Sequence, residues 1–508
     1  MIAIVLPLIA LLQVPVTGPA DPDTRAWWQL TSVLSADSME GRDAGSRGYE
    51  RAAGHVAKWL AEAGLKPLGD NGSYFQSVPM EEVAVTRARI DVGGRPLRFL
   101  HDITIPAQSA PSTLDGALAY RGYCAADALG DVRGKLVICH ASRRSGLPTN
   151  EQRRVALQAA GAAGMIAIAD PGFTIEPPRW PAAYARSVTL AGAGQRASSA
   201  TSTTPAAASR ASFVTLSLRA GALGTLIAGT GQDADSLIAA GSAGRPLPSF
   251  DLRDSLHATF TTARRALHSP NVIGILPGTD PTKANEAIVL TAHLDGYGYG
   301  TPVNGDSLYN GTLDDAAYVA LIVRLMERRH GHGFRRPVIV AIVTGEEKGL
   351  LGSRYFLSHL PVPKEHIAAD INLDQLRSLF PLELLTVHAL DDTSLGDDVR
   401  AVATSHGIAV QNDPEPERGL LQRSDQWPFL QAGIPATNFV FGYRPGSESE
   451  RIYRQWYREG YHTPKDDLNQ KIDWKAAADF NRFYYALVER VTGEDAAPAW
   501  KPGSALRR

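Results

Sequence analysis

Ala287-Ile288-Val289-Leu290-Thr291-Ala292-His293-Leu294-Asp295 leads through Asn310-Gly311-Thr312-Leu313-Asp314-Asp315 to Val338-Ile339-Val340-Ala341-Ile342-Val343-Thr344-Gly345-Glu346-Glu347. The two outer apolar runs read as buried strands. The first delivers His293 to its C-terminal edge, and the second delivers Glu346 and Glu347. Helical spacing begins after Asp314, so Asp314 and Asp315 are expected to cap that helix. In open α/β sheets, ligands bind beyond the carboxyl ends of the strands. Imidazole nitrogen mixed with carboxylate oxygen suits hard or borderline cations. The stretch therefore reads as a metal site at one edge of an α/β sheet.

Working outward, strands and helices alternate from Pro270 onward. A third strand, Ile367 to Leu373, ends at Asp374, and Leu382 to Val387 and Pro435 to Phe441 add two more. Helices are expected at Asp315 to Glu327, Leu350 to Ser358, Asp392 to Ser405 and Asp473 to Val491. The alternation predicts an α/β fold, a three-layer α/β/α sandwich around a mixed, mostly parallel central sheet. Upstream, Asp23 to Leu65 reads as two helices joined by the polar turn Ser38 to Gly45. Between about Pro96 and Ala263 short β-like runs dominate, among them Lys135 to Cys139 and Met165 to Ala169. Arg196 to Ser212, rich in Ser, Thr and Ala, reads as a loop. That region has no cluster of His, Asp and Glu, and reads as an inserted β-rich module. The expected organisation is a leader over 1–20, the first part of the main domain over 21–95, and the insert over 96–263. The main part of that domain follows over 264–495, with a tail over 496–508.

A chain of 508 residues exceeds the usual single-domain size, so two or more compact units are expected. The net charge of −2 argues against a general nucleic-acid binder, which carries a basic face. Ile2 to Leu12 is apolar, and small residues at Gly18 and Ala20 offer a cleavage site. Its length suits a signal peptide and falls short of a membrane span, although no Lys or Arg precedes it. The expectation is a secreted or periplasmic protein with no stable membrane association after cleavage. Cys124 and Cys139 are the only cysteines, and they read equally well as a pair or as two buried thiols.

His293-Leu294-Asp295, Asp314-Asp315 and Glu346-Glu347 are each weak signals alone. Their conjunction is strong, because three consecutive strands end in candidate ligands. With the rest of the order added, the chain resembles the M28 peptidase family of co-catalytic zinc aminopeptidases. The resemblance rests on His293-Leu294-Asp295, on Gly311-Thr312-Leu313-Asp314-Asp315, and on Glu346-Glu347-Lys348-Gly349-Leu350-Leu351-Gly352-Ser353. Asn372-Leu373-Asp374 and Tyr461-His462-Thr463-Pro464 complete it, and Met39-Glu40-Gly41-Arg42 also fits. The insert, with Val132-Arg133-Gly134-Lys135 and Ala159 to Gly164, is similar to a protease-associated (PA) domain.

The resemblance implies two Zn2+, with Mn or Co able to occupy the same ligands. One ion would take His293 and Asp374, the other Glu347 and His462, and Asp314 would bridge them. Asp295 would fix the His293 tautomer, Glu346 would be the general base, and Tyr461 would donate to the oxyanion. Charge counting agrees: Asp314, Glu347 and Asp374 leave two divalent ions one charge above neutral, and a bridging hydroxide removes it. Two departures stand out: in Asp314-Asp315-Ala316-Ala317-Tyr318 many relatives have Ser-Gly in the last two places, and relatives often have His in place of Gln426.

The implied activity is release of the N-terminal residue of peptides by an exported enzyme. A carboxypeptidase of the same architecture is the alternative, since Arg423, Arg444 or Arg451 could grip a C-terminal carboxylate. A non-catalytic exported binding module is the other, and it would predict erosion of the ligand set. For the PA-like insert, binding of substrate or of a protein partner both remain open.

Overall fold

The computed structural model describes residues 18–171, 185–192, 213–375 and 378–507. The apolar run Ile2 to Leu12 and the loop Arg196 to Ser212 lie outside the described residues. No helix among the described residues is long and apolar enough to cross a membrane.

Four mutually parallel strands form the centre of the C-terminal half: Ala436–Phe441, Ile367–Asn372, Ala287–His293 and Val338–Val343. Leu384–His388 joins one side antiparallel, and the end of the long strand Ser249–Leu276 joins the other, also antiparallel. The sheet is thus mixed and mostly parallel. Parallel strands buried on both faces need continuous apolar runs, and Ala287–His293 and Val338–Val343 are buried at every position. Successive side chains face opposite layers. Ile288, Leu290 and Ala292 join Val338, Val340 and Ile342 under helices Pro22–Leu34, Arg47–Glu62, Ala317–Arg329 and Trp474–Gly493. Val289, Ile339 and Ala341 face the other layer, with Phe356 of Leu351–Ser358 and Phe429 of Gln426–Gln431. This is the α/β/α sandwich.

Ser249–Leu276 runs antiparallel to Phe75–Val92 from the pair Val272–Phe75 out to Leu256–Val92. The resulting ribbon leaves the sandwich and continues into a second unit. There Thr113–Arg121, Leu136–His140, Gly164–Ile168 and Val214–Leu218 extend the same sheet. The core of that unit gathers Leu136, Ile138, Ile166 and Leu216, together with Val83, Val85, Ile90 and Val92 from the ribbon itself. Cys124 and Cys139 are joined by a disulfide beside this core.

Candidate metal centre

Strand register brings the candidate ligands to one level. His293 lies opposite Val343, three residues before Glu346, and Thr291 lies opposite Asn372, two residues before Asp374. The ladder continues past the strand ends, where Leu294 N donates to Val343 O and Leu373 N to Thr291 O, both at 2.9 Å. His293, the Glu346-Glu347 pair and Asp374 therefore emerge at the same sheet edge.

Asp314 arrives from a single wide turn, Thr312–Ala316, ahead of the helix Ala317–Arg329. The expectation that Asp314 and Asp315 cap this helix is corrected, since neither side chain does so. Asp466 takes that place from far along the chain. Its carboxylate accepts Leu313 N at 2.9 Å and Asp314 N at 3.1 Å, and its carbonyl accepts Thr312 N at 3.1 Å. Gly311 starts the turn at φ +59°, and a Cβ there would lie 2.4 Å from the Asp314 carbonyl, so only glycine fits.

Released from capping, the Asp314 carboxylate faces two imidazoles. Its Oδ1 lies 3.2 Å from His293 Nε2, and its Oδ2 lies 3.2 Å from His462 Nε2. Asp374 Oδ1 is 3.7 Å from His293 Nε2, and Glu347 Oε1 is 3.0 Å from His462 Nε2. Two groups of potential ligands result, one of His293, Asp315 and Asp374, the other of Asp314, Glu347 and His462. Within the first group the oxygens of Asp315 accept the backbone N–H of His293 at 3.2 Å and of Gln375 at 3.3 Å. Asp315 thus straps two strand ends together, while Asp314, with an oxygen toward each histidine, is the carboxylate placed between the groups.

The donor set fits divalent cations. Asp314 Oδ2, Glu347 Oε1, His462 Nε2 and both Asp374 oxygens are buried without a hydrogen-bond partner among the described residues. Carboxylate oxygens buried in this way are costly unless a cation or a donor meets them. Burial disfavours the charged form of His293, but Asp315, Asp314, Asp374 and Glu346 outweigh it and raise its pKa well above the usual value. His462 is raised in the same sense, where Glu347 and Asp314 outweigh burial.

Around these side chains lies a supporting shell. His293 Nδ1 is 3.0 Å from the backbone carbonyl of Asp295, whereas the Asp295 carboxylate is 3.8 Å away. The tautomer-fixing contact therefore comes from the main chain, leaving Nε2 to face the carboxylates. The Asp295 carboxylate instead accepts Glu346 N at 3.0 Å, and burial raises its pKa to about 6. Arg42, fully buried, donates to the carbonyls of Leu34, Leu294, Asn310 and Gly311. It ties the His293 loop to the Asp314 turn. Asp466 is also buried, and burial raises its pKa to about 6. Neither the Asp466 contacts nor the reach of Arg42 has a local sequence signal beyond an acid four residues after His462.

Glu346 makes neither histidine contact and lines a cleft of about 470 Å3. Burial and the charges of Asp374, Glu347 and Asp425 raise its pKa well above the carboxylate range. Tyr461 lines the same cleft, stacks on His462 at 3.6 Å between ring centroids, and accepts a hydrogen bond from Gln375 Nε2 at 3.1 Å. Of the three arginines considered from the sequence, Arg423 lines the cleft. Arg444 is exposed and Arg451 pairs with Glu448 at the surface. Tyr318 is buried in the core beneath the site, packing on Phe480. Gln426 is buried too, and its amide donates to Leu421 O.

Over this half of the chain, residues 271–488 match Peptidase family M28. Residues 271–488 are an M28 peptidase domain. The chain is 29% identical over 212 residues to the alkaline phosphatase isozyme conversion protein of Escherichia coli K12, covering 38% of this chain. It is 25% identical over 257 residues to leupeptin-inactivating enzyme 1 of Streptomyces exfoliatus, covering 47% of this chain. These matches span 61% and 54% of the relatives' own lengths. In fold, the whole chain is similar to an aminopeptidase from Aneurinibacillus sp. strain AM-1, with a TM-score of 0.59, 17% identity and 97% of each chain covered. It is also similar to BSAP, a zinc aminopeptidase from Bacillus subtilis, with a TM-score of 0.58 and 16% identity, covering 97% of this chain and all of that one. The M28 domain and the second unit thus share an arrangement with solved structures end to end.

Proposed function

We propose that this protein is an exported di-zinc aminopeptidase that hydrolyses the N-terminal residue of peptides. The observation that carries the proposal is the Asp314 carboxylate with one oxygen 3.2 Å from each of His293 and His462. A carboxylate so placed suits two ions held side by side better than one. His293 and Asp374 would hold one ion, Glu347 and His462 the other, and Asp314 would span both. The names of the aminopeptidases of like fold support the choice of zinc and of an N-terminal substrate. The Cys124–Cys139 disulfide and the apolar run Ile2 to Leu12 support export to an oxidising compartment.

When bound, the ions supply Lewis-acid activation of water and of the scissile carbonyl. Glu346, lining the cleft outside the ligand set, takes a proton from the attacking water and returns it to the leaving amine. The backbone carbonyl of Asp295 holds the Nδ1 proton of His293, and its carboxylate holds the backbone that carries Glu346. Tyr461 donates a hydrogen bond from its hydroxyl to the developing oxyanion. The acidic cluster attracts the substrate's α-ammonium. A purely binding module has no use for a cleft-lining glutamate outside the ligand set, which disfavours that reading.

The test combines metal analysis with two substrates. Purified protein is expected to hold two zinc ions per chain, to release p-nitroaniline from leucine p-nitroanilide, and to spare the N-acetylated anilide. One ion per chain would sink the two-ion site. Release of the C-terminal residue from N-acetylated peptides, with the anilide untouched, would establish the carboxypeptidase instead.

A further inference from the structure

The cleft is lined by groups of both signs. Glu346, Glu347 and Tyr461 of the metal centre line it, and so do the cations Arg186, Lys348, Arg354 and Arg423. Arg186 belongs to the strand Arg186–Leu190, which pairs along Met80–Ala84 of the ribbon, so the wall facing the M28 domain comes from outside it.

The cations exceed the carboxylates that hold them. Arg186 binds Asp43 at 2.9 Å and Glu82 at 2.6 Å. Lys348 shares Asp43 at 3.0 Å, and Arg265 shares Glu82 at 2.7 Å. Three cations therefore rest on two carboxylates. Arg354 adds another positive charge. Its guanidinium reaches only the Gly349 carbonyl and the Gln431 side chain, both at 3.3 Å, and meets no carboxylate among the described residues. Anchored over the Gly349 turn, it stands just past Glu346 and Glu347 in the chain and on the same cleft.

A free peptide is a dipole, with an ammonium at one end and a carboxylate at the other. A cleft of about 470 Å3 falls in the range that encloses a small organic ligand, about 300–1,000 Å3, the size of a di- or tripeptide. We infer that the cleft selects short peptides bearing a carboxylate one or two residues beyond the scissile bond, gripped by Arg354 with Arg186 and Lys348 beside it. This rests on the aminopeptidase reading, because it requires the ammonium end at the acidic cluster. Guanidinium favours this pairing through its planar fork of donors. The carboxylate can be a chain terminus or an acidic side chain, and both present the same two oxygens.

Binding separates the inference from catalysis. Zinc-loaded Glu346→Gln protein is titrated calorimetrically with Leu-Gly-Gly, with its C-terminal amide, and with the amide Leu-Gly-Asp-amide. The free acid is expected to bind about tenfold more tightly than the amide. Adding Arg354→Ala is expected to erase most of that ratio, and Arg354→Lys to restore part of it. Tight binding of Leu-Gly-Asp-amide would assign the site to acidic side chains as well as termini. Equal affinity for acid and amide, a ratio unmoved by Arg354→Ala, or no binding of either peptide would overturn the inference. The chromogenic anilide carries no carboxylate, so its turnover by the wild-type protein judges the aminopeptidase reading separately.

Discussion

Arg42→Met removes the guanidinium beneath the metal centre while keeping most of the side chain's bulk. Arg42 donates at 2.8 Å to Leu294 O, Leu34 O and Gly311 O, and at 2.6 Å to Asn310 O, and none of its surface reaches water. The variant leaves four buried carbonyls without that donor, each costing about 1–3 kcal/mol. It also strips a positive charge from among Asp466, Asp315, Asp295 and Asp314. Even at about 1 kcal/mol per carbonyl the loss is about 4 kcal/mol, a large share of a typical stability of about 5–15 kcal/mol. Because three of those carbonyls, of Leu294, Asn310 and Gly311, belong to the loops carrying His293 and Asp314, zinc affinity should fall as well, by about 10–100-fold. Arg153→Met is the matched control, since Arg153 is equally buried and donates to the carbonyls of Tyr123 and Ser142 in the second unit. Urea unfolding followed through Trp27, Trp59 and Trp456 reads the α/β/α sandwich, and competition with a chelating dye reads zinc. An Arg42→Met transition within about 1 kcal/mol of wild type would refute the bracing role. So would equal losses of zinc affinity in the two variants.

Asp295→Asn keeps the main-chain contact to His293 Nδ1 and weakens only the bond to Glu346 N. Zinc content should therefore stay at the wild-type level while kcat falls by about tenfold, and loss of zinc would return the tautomer-fixing role to the carboxylate. Asp370, buried beneath the sheet with Thr291 as its partner, has its pKa raised well above the carboxylate range by burial. A raised carboxyl gives its full stabilisation below the unfolded value of about 3.9 and loses it as pH rises through the folded value. Asp370→Asn should accordingly unfold at higher urea than wild type at pH 8, with the gap closing toward pH 4, and a gap independent of pH would contradict this. Removing the Cys124–Cys139 disulfide by a double Cys→Ala change opens a loop of sequence separation 15. That should cost the second unit about 3 kcal/mol in chemical denaturation. Unchanged denaturation would mean that the loop is held without the bond.

The ligands that end strands were legible because each follows an apolar run that can only be a buried strand. His293, Glu347 and Asp374 are of this kind, and parallel pairing then forces them to a common edge. His462 has no such frame. It sits in a loop with a left-handed backbone, φ +53°, and only the order of the motifs pointed to it. The pair Asp314-Asp315 was misread as a cap because adjacent acids before a helix usually serve that purpose. Nothing local reveals that Asp466, about 150 residues later, supplies the acceptor for those amides. The length of Ser249–Leu276 was hidden for a different reason. Thr261 to Ala266, including Arg264 and Arg265, is exposed at every position, so the alternation of buried and exposed residues that runs up to Phe260 breaks off there and hides the strand's continuation.

The two-strand ribbon also sets the order in which a growing chain can close. Trp27, Leu34, Tyr49 and Leu60, made early, share a core with Ile288, Val319, Val340 and Phe480, made late. The segment bounded by Phe75 and Leu276 contains its own core and is made before any of those partners. The opening helices must wait, apolar faces uncovered, while about 200 residues fold ahead of them, since domains close as units during synthesis. Their rescue by the last helix, Trp474–Gly493, makes truncation at the C-terminus a lesion of the N-terminus as well.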